Sequence, residues 1–196
     1  MPGTYHHGNL RAELVRVAAD LIADKGLAAF SVAEIARRAH VSPGAPYRHF
    51  QDRDDLLAAV ATDTAHRLAT SLRAATEPAP TPAAALAAAA GAYTAHTMER
   101  RAGMDLLHSE VLRASRHAEL HDAVRTATDH FLLPCLTLTP TPADALDLME
   151  QLFTQAHGYA TFWLDGVFAK HGYTADQVVA KSTAAALVVI KGHGAR

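Results

Sequence analysis

The sequence predicts an all-α protein of about nine helices, and three observations carry that expectation. Alanine supplies 43 of the 196 residues, and it is the strongest intrinsic helix former. Aromatic residues make up only 6% of the chain, whereas strands are enriched in aromatic and β-branched residues. Apolar residues recur three and four apart through most of the chain, and no run alternates as a half-buried strand does. At 196 residues the chain can build one large domain or two small ones around a sizeable core.

The first helix runs from Leu10 through Leu14, Val17, Leu21 and Ile22, with Asn9 as its N-cap and Gly26 as its stop. Ser31-Val-Ala-Glu34 reads as a capping box for the second helix, with Phe30 and Ile35 as the hydrophobic staple around it. Its apolar face continues through Ala36 and Ala39 until His40-Val41-Ser42 breaks the pattern. A very short helix fits between Ser42 and Phe50, because Asp52 caps the next one. That fourth helix is long, with Leu56, Leu57, Val60, Leu68 and Leu72 on one side. Pro78-Ala-Pro80-Thr81-Pro82 is the first clear boundary, and Pro82 at a first helical position starts a helix reaching about Arg101. A shorter piece spans about Met104 to Ala114. The next helix runs from His117 to about Leu133, where Pro134 ends or kinks it. A second Pro/Thr linker, Thr137 to Pro142, precedes a helix from Ala143 to about Asp165. Thr174-Ala-Asp-Gln177 is another capping box, and the last helix runs to about Lys191.

Composition excludes several classes. A single cysteine leaves no internal disulfide framework and no Cys-based structural zinc site. The net charge is −2, so any attraction to nucleic acid must be local. The opening Met-Pro-Gly-Thr-Tyr-His-His predicts no secretory leader. Pro78 to Met98, the longest stretch without Asp, Glu, Lys or Arg, is too proline-broken and alanine-rich to span a bilayer. The expectation is a cytoplasmic, nucleoid-associated protein without membrane contact.

The local charge lies between Ser31 and Arg53. Arg37, Arg38, Arg48 and Arg53 face only Glu34 and Asp52 there, a local +2 that leaves −4 for the remainder of the chain. Ser42, Tyr47, Arg48 and His49 fall within eight residues. Tyrosine, serine and histidine suit phosphate oxygens, and arginine suits the O6/N7 edge of guanine. Two helices joined by a three-residue turn, the second very short, have the size of a helix-turn-helix. On charge and spacing alone, an ordinary helical hairpin with solvated arginines is the commoner reading.

Further residues at fixed spacing sharpen this. Phe30-Ser-Val-Ala-Glu-Ile-Ala-Arg-Arg-Ala-His-Val-Ser-Pro-Gly-Ala-Pro-Tyr-Arg-His-Phe50, then Asp52-Arg-Asp-Asp-Leu-Leu57, resembles the DNA-binding domain of the tetracycline-repressor (TetR) family. The resemblance covers roughly residues 8–68, with the helix-turn-helix at 31–50. It implies that Tyr47, His49 and Arg53 contact phosphates, with Ser31 and Ser42 on the same DNA-binding surface. It implies base contacts from Pro43, Ala45 and Arg48, and a core position for Phe50. Two positions depart from the pattern. His40 stands where the family has its turn glycine, and histidine tolerates a left-handed backbone less well than glycine. Pro46 lies inside the recognition helix, where it lacks an N–H and biases Ala45 away from helical angles.

His6-His-Gly-Asn-Leu-Arg11 resembles one branch of the family, whose C-terminal domain carries Trp-x-x-x-His-Gly and a downstream Asp-Gly. This chain has Phe153-Thr-Gln-Ala-His157-Gly158 and Asp165-Gly166, with Phe153 in place of the tryptophan. The resemblance implies that residues 80–191 form a ligand-binding and dimerisation domain. Independently, Leu148, Leu152, Phe153, Ala156, Tyr159, Ala160, Trp163, Leu164 and Phe168 cover too wide an arc for one buried face. The last helix adds Val178, Val179, Ala185, Ala186, Val189 and Ile190, small enough for close helix approach. A two-fold, four-helix interface is the expectation, against packing within one chain.

His96, Met104, His108, Phe131, Phe153 and His157 are the candidate lining of a pocket for a small, largely apolar effector, with His157 foremost. A plain Ala/Leu-rich bundle would carry the same residues. No His-Glu-x-x-His or Glu-x-x-His occurs, and the His117/His121 pair is not a site, so no metal and no cofactor are expected. Cys135 reads as buried and Asp165-Gly166 as a helix exit. The resemblance thus implies a homodimeric repressor, released by its effector from a palindromic double-stranded operator read through the major groove, and not an enzyme. The rivals are an all-helical enzyme using the histidine-bearing half, and a ligand-binding module with a vestigial DNA domain.

Overall fold

The computed structural model describes residues 7–109 and 117–193, all-helical with no strand among them. Among the described residues there are eight α-helices: α1 His7–Lys25, α2 Val32–Arg38, α3 Arg53–Thr76, α4 Pro82–Glu99, α5 Arg101–Leu107, α6 Ala118–Leu138, α7 Pro142–Leu164 and α8 Ala175–His193. Short 3-10 turns occur at Leu27–Ala29, Pro46–Arg48 and Ala169–His171. The part of the predicted Met104–Ala114 helix beyond Ser109 lies outside the described residues, as does His6 of the opening element.

The chain forms two compact units, Met1–Ala65 with Arg100–Asp122, and His66–Glu99 with Ala123–Arg196. The first is built on one apolar cluster. Leu14, Val17, Leu21 and Ile22 of α1 meet Phe30, Ile35, Phe50 and the buried Leu56, Leu57 and Val60 of α3. Leu106 of α5 and Leu120 of α6 complete it. Each such side chain contributes about 1.5–3 kcal/mol when fully buried. Gly103 lets α5 lie close to α3, because a Cβ there would come 2.8 Å from the Thr64 hydroxyl.

In the second unit α4 is the central helix. Its Leu86, Ala87, Ala89, Ala90, Gly91, Tyr93, Thr94, His96 and Thr97 are all buried, against α7 and α8. Its alanines are the means, since small side chains on every face let neighbouring helices close in. A methyl group at Gly91 would collide with the Thr183 hydroxyl of α8. The buried Thr94 hydroxyl donates to the carbonyls of Ala90 (2.9 Å) or Ala156 (3.1 Å) and lies 2.8 Å from Ser182 Oγ. Gln155 Nε2 donates to Ser182 Oγ and to its carbonyl, both at 3.1 Å. One polar network therefore ties α4, α7 and α8.

Several boundaries differ from the sequence expectations. α1 begins at His7, so Asn9 lies inside the helix instead of capping it. The helix from Pro82 ends at Glu99, and Arg100 (φ −134°, ψ 41°) separates it from α5. α6 runs through Pro134 to Leu138. Its buried residues Ala123, Ala127, Phe131 and Cys135 hold helical spacing across the proline, and burying that face outweighs a local penalty of about 3 kcal/mol. Among the caps, Thr141 accepts from Asp144 N–H (3.2 Å). Both halves of the Thr174–Gln177 box form, at 3.3 and 2.9 Å. Gly166 (φ 74°) ends α7, with Val167 N–H reaching the Phe162 carbonyl at 2.9 Å.

Candidate functional site

The helix-turn-helix begins with Ser31, whose hydroxyl accepts from Glu34 N–H at 3.4 Å. The second half of the expected box is diverted. The Glu34 carboxylate accepts from Arg37 (2.8 and 2.7 Å) and Arg38 (3.2 Å). These guanidinium hydrogen bonds hold its carboxyl down to about 2. Arg38 also donates to Asp24 at 2.9 Å. Two of the four arginines in the basic window are therefore neutralised within the fold.

The turn after α2 forms around His40, at φ 56° the one non-glycine residue with positive φ among those described. His40 N–H donates to the Arg37 carbonyl (3.2 Å) and Val41 N–H to the Ala36 carbonyl (3.0 Å). This is the Schellman ending that glycine usually supplies. Histidine is among the residues that tolerate it best.

The segment from Ser42 to Phe50 is wound more tightly than the expected short helix. Ala45 N–H donates to the Ser42 carbonyl (2.9 Å), and Arg48 N–H to the Ala45 carbonyl (3.2 Å). The regular part is the 3-10 turn Pro46–Arg48. Ala45 nevertheless keeps helical angles (φ −62°, ψ −41°), against the expectation that Pro46 displaces it. Pro46 is buried, so packing of its ring holds the turn where the local preference opposes it. Phe50 is buried in the core of this unit, as expected.

Around that anchor the polar groups face outward. Ser42, Pro43, Gly44 and Arg48 are exposed and His49 is half-buried. Tyr47 is 57% exposed, more than half of a large aromatic ring in solvent. The Arg48 guanidinium has no hydrogen-bond or ion-pair partner among the described residues. Arg53 opens α3, its guanidinium 5.1 Å from the centre of the Phe30 ring and 3.4 Å from Asp54. Asp52 caps α3 through Asp55 N–H (2.8 Å), and Asp55 accepts from Gln51 N–H (2.9 Å). His117 Nδ1 lies 3.4 Å from Asp55.

In the second unit, three of the expected pocket residues come together. Phe131 and Phe153 stack with ring centres 4.3 Å apart, and His157 joins them through Tyr93. The Tyr93 ring meets Phe153 edge-on at 5.3 Å and Phe131 at 6.3 Å. The Tyr93 hydroxyl lies 3.2 Å from His157 Nδ1. Burial pushes the Tyr93 phenol up to about 12, so it stays a neutral hydrogen-bonding group at neutral pH. The sequence pattern did not single out Tyr93. Its signal was being the lone Phe, Tyr or Trp on an alanine-rich helix. His96, one turn on, pairs instead with Ser71 Oγ (3.3 Å). Met104, buried, and His108, exposed, belong to the other unit. Cys135 is fully buried, and burial raises its thiol to about 11. Among the described residues no three His, Cys, Asp or Glu side chains group as metal ligands.

A capped helix, a tight turn and the outward-facing Tyr47 and Arg48 form a helix-turn-helix, the class of motif that docks on DNA. Residues 14–60 match the family described as bacterial regulatory proteins, tetR family. A protein of unknown function from Rhodococcus sp. RHA1 has the same fold at 29% identity, over 97% of this chain and 98% of its own, with a TM-score of 0.79. A tetR-family regulatory protein from Rhodococcus RHA1 is similar at 22% identity (92% and 96% covered, TM-score 0.71). So is the transcriptional regulator FadR from Bacillus subtilis, solved with stearoyl-CoA (16%; 92% and 98% covered; TM-score 0.67). No curated protein matches the chain. The family match over residues 14–60 supports a DNA-binding transcriptional regulator, and the solved structures share its fold. No described helix is long and apolar enough to cross a membrane.

Proposed function

We propose that this protein is a cytoplasmic, homodimeric repressor that leaves a palindromic operator when a small, largely apolar effector binds. The observation that carries the DNA reading is the exposed 42–49 element, where Arg48 keeps its charge unspent while Arg37 and Arg38 are neutralised. Tyr47, His49 and Arg53, with Ser31 and Ser42, hold phosphates, and Arg48 reads a guanine beside Pro43 and Ala45. Residues 8–68 act as the DNA-binding domain and 80–191 as the regulatory domain. The test is a gel shift on DNA upstream of its own coding sequence. Retention that is lost at high salt supports the reading, and no retention at low salt overturns it.

Dimerisation is supported by apolar side chains left in solvent on α7 and α8. Phe162 is 53% exposed and Val188 71%. Gly158 lies on the same stripe of α7 as Phe162, and a Cβ there would meet nothing within 4 Å. A mid-helix glycine costs about 0.5–1 kcal/mol relative to alanine, and close approach of a second copy accounts for it. The recognition turns of a two-fold dimer then read half-sites one helical turn apart, roughly 34 Å.

The effector is proposed to bind at Tyr93, Phe131, Phe153 and His157. The rings supply apolar contact, and the Tyr93–His157 pair supplies the directional hydrogen bond. α4 carries no Asp, Glu, Lys or Arg from Pro82 to Met98, and α7 none from Gln151 to Leu164. An uncharged or largely apolar molecule fits such surroundings best. The related fold that holds stearoyl-CoA in FadR is in keeping with a long apolar group. The effector acts by favouring a conformation whose turns no longer match successive grooves.

A further inference from the structure

The six arginines between the start of α1 and the start of α3 are not equally committed. Arg16 is held by Glu13 and Asp20, both at 2.6 Å. Arg37 and Arg38 share Glu34, and Arg38 adds Asp24. Arg53 has Asp54 at 3.4 Å. Arg48 in the recognition turn and Arg11 in α1 have no carboxylate partner among the described residues. Arg11 is exposed, yet its guanidinium carbon lies over the Phe50 ring, 5.3 Å from the ring centre. Phe50 is buried, and its N–H donates to the Pro46 carbonyl at 3.0 Å. The ring beneath Arg11 therefore closes the same turn that carries Arg48.

A carboxylate would occupy the N–H groups of a guanidinium, whereas a ring face holds the cation and leaves its N–H edges for another acceptor. Arg53 stands over Phe30 in the same way, at 5.1 Å, and both rings belong to one apolar cluster. We propose that Arg11 is a further DNA-binding residue, contributed by α1 from outside the helix-turn-helix, that grips a backbone phosphate beside the groove the recognition turn enters. The inference rests on the DNA-binding reading and adds a contact to it. A guanidinium kept over Phe50 gives up the reach that a base edge demands, while its fork still matches two oxygens of one phosphate. Holding the side chain beforehand also leaves less rotamer freedom to lose on binding.

The experiment compares wild type with Arg11→Met, Arg11→Gln, Arg11→Lys and Arg16→Met. Met and Gln keep an unbranched stem beside Phe50, remove the charge and suit an exposed helix position, so α1 stays intact. Arg16→Met removes the same charge from a guanidinium already held by two carboxylates. The probes are a duplex enriched by wild-type protein from a random pool and a scrambled duplex of equal length. Affinity is read by fluorescence anisotropy across a salt series. Arg11→Met and Arg11→Gln should bind both duplexes about tenfold more weakly and lower the slope of log affinity against log salt by about one per protomer. Arg11→Lys should keep the wild-type slope, and Arg16→Met should bind as wild type. Unchanged affinity and slope in the two uncharged variants would make Arg11 only a cover for Phe50, overturning the proposal while leaving the DNA reading intact. Equal losses in Arg16→Met overturn it too, because net charge alone would then account for the effect. A loss confined to the enriched duplex overturns the phosphate assignment in favour of base reading. If wild type enriches no sequence, the DNA reading fails and the proposal falls with it.

Discussion

At residue resolution, the exposed cations of the helix-turn-helix differ in what occupies them. The Arg48 guanidinium has no partner among the described residues, whereas that of Arg53 lies 5.1 Å over Phe30 and 3.4 Å from Asp54. The two should therefore fail differently. Arg48→Ala should relax preference at one base pair per half-site, a discrimination of about 1–3 kcal/mol. Arg53→Ala and Tyr47→Phe should weaken binding to all sequences alike, and Arg53→Ala should lower the salt slope by about one per protomer. Binding-site selection with each variant checks this, and full base preference in Arg48→Ala would move Arg48 to the backbone contacts. In the second unit, His157→Ala should abolish effector-dependent stabilisation, read as the rise of melting temperature with ligand concentration. Equal stabilisation of both proteins, with release of DNA from both, would remove His157 from the effector site.

At the scale of the element, α2 is a short helix held at both ends. His40 gives it a Schellman ending at φ 56°, so His40→Gly should stabilise the chain by roughly 0.5–1 kcal/mol, measured as a higher melting temperature. A lower one would show that the His40 side chain contributes more than its backbone strain costs. Glu34 answers to pH. Hydrogen bonds from Arg37 and then Arg38 hold its folded carboxyl at about 2, below the ordinary 4.5. The stability it contributes is full above about 4.5 and is lost as pH falls from there toward 2. Glu34→Gln should flatten that part of the acid-unfolding curve, and an unaltered curve would assign the acid sensitivity elsewhere.

For the whole molecule, the weight falls on faces the single chain leaves uncovered. Phe162 and Val188 are 53% and 71% exposed on α7 and α8. The double variant Phe162→Asp/Val188→Asp should sediment as a folded monomer. Losing simultaneous engagement of two half-sites should weaken operator binding by about 100-fold or more. A variant that stays dimeric would place the interface on another face. The close tie of α4 to α7 and α8 through Thr94, Ser182 and Gln155 makes these helices one packed body.

Local chemistry was legible from the sequence because its partners lie within a turn. The Ser31, Asp52 and Thr174 caps each join a side chain to a backbone N–H three residues on. The helical spacing of Leu56, Leu57, Val60, Leu68 and Leu72 likewise marked one face of α3, and all five are buried. Tertiary packing decided what no neighbouring residue could. It carried α6 through Pro134, because Phe131 and Cys135 sit on one buried face. It kept Ala45 helical before a buried Pro46 and shortened the recognition helix to a 3-10 turn. It placed Leu106 and Leu120 in the core of the N-terminal unit, and brought Tyr93 to His157 across 64 positions of chain. Periodicity tells which face of a helix is apolar; which other face covers it depends on shape and volume summed over distant segments, and that appears only when the chain is folded.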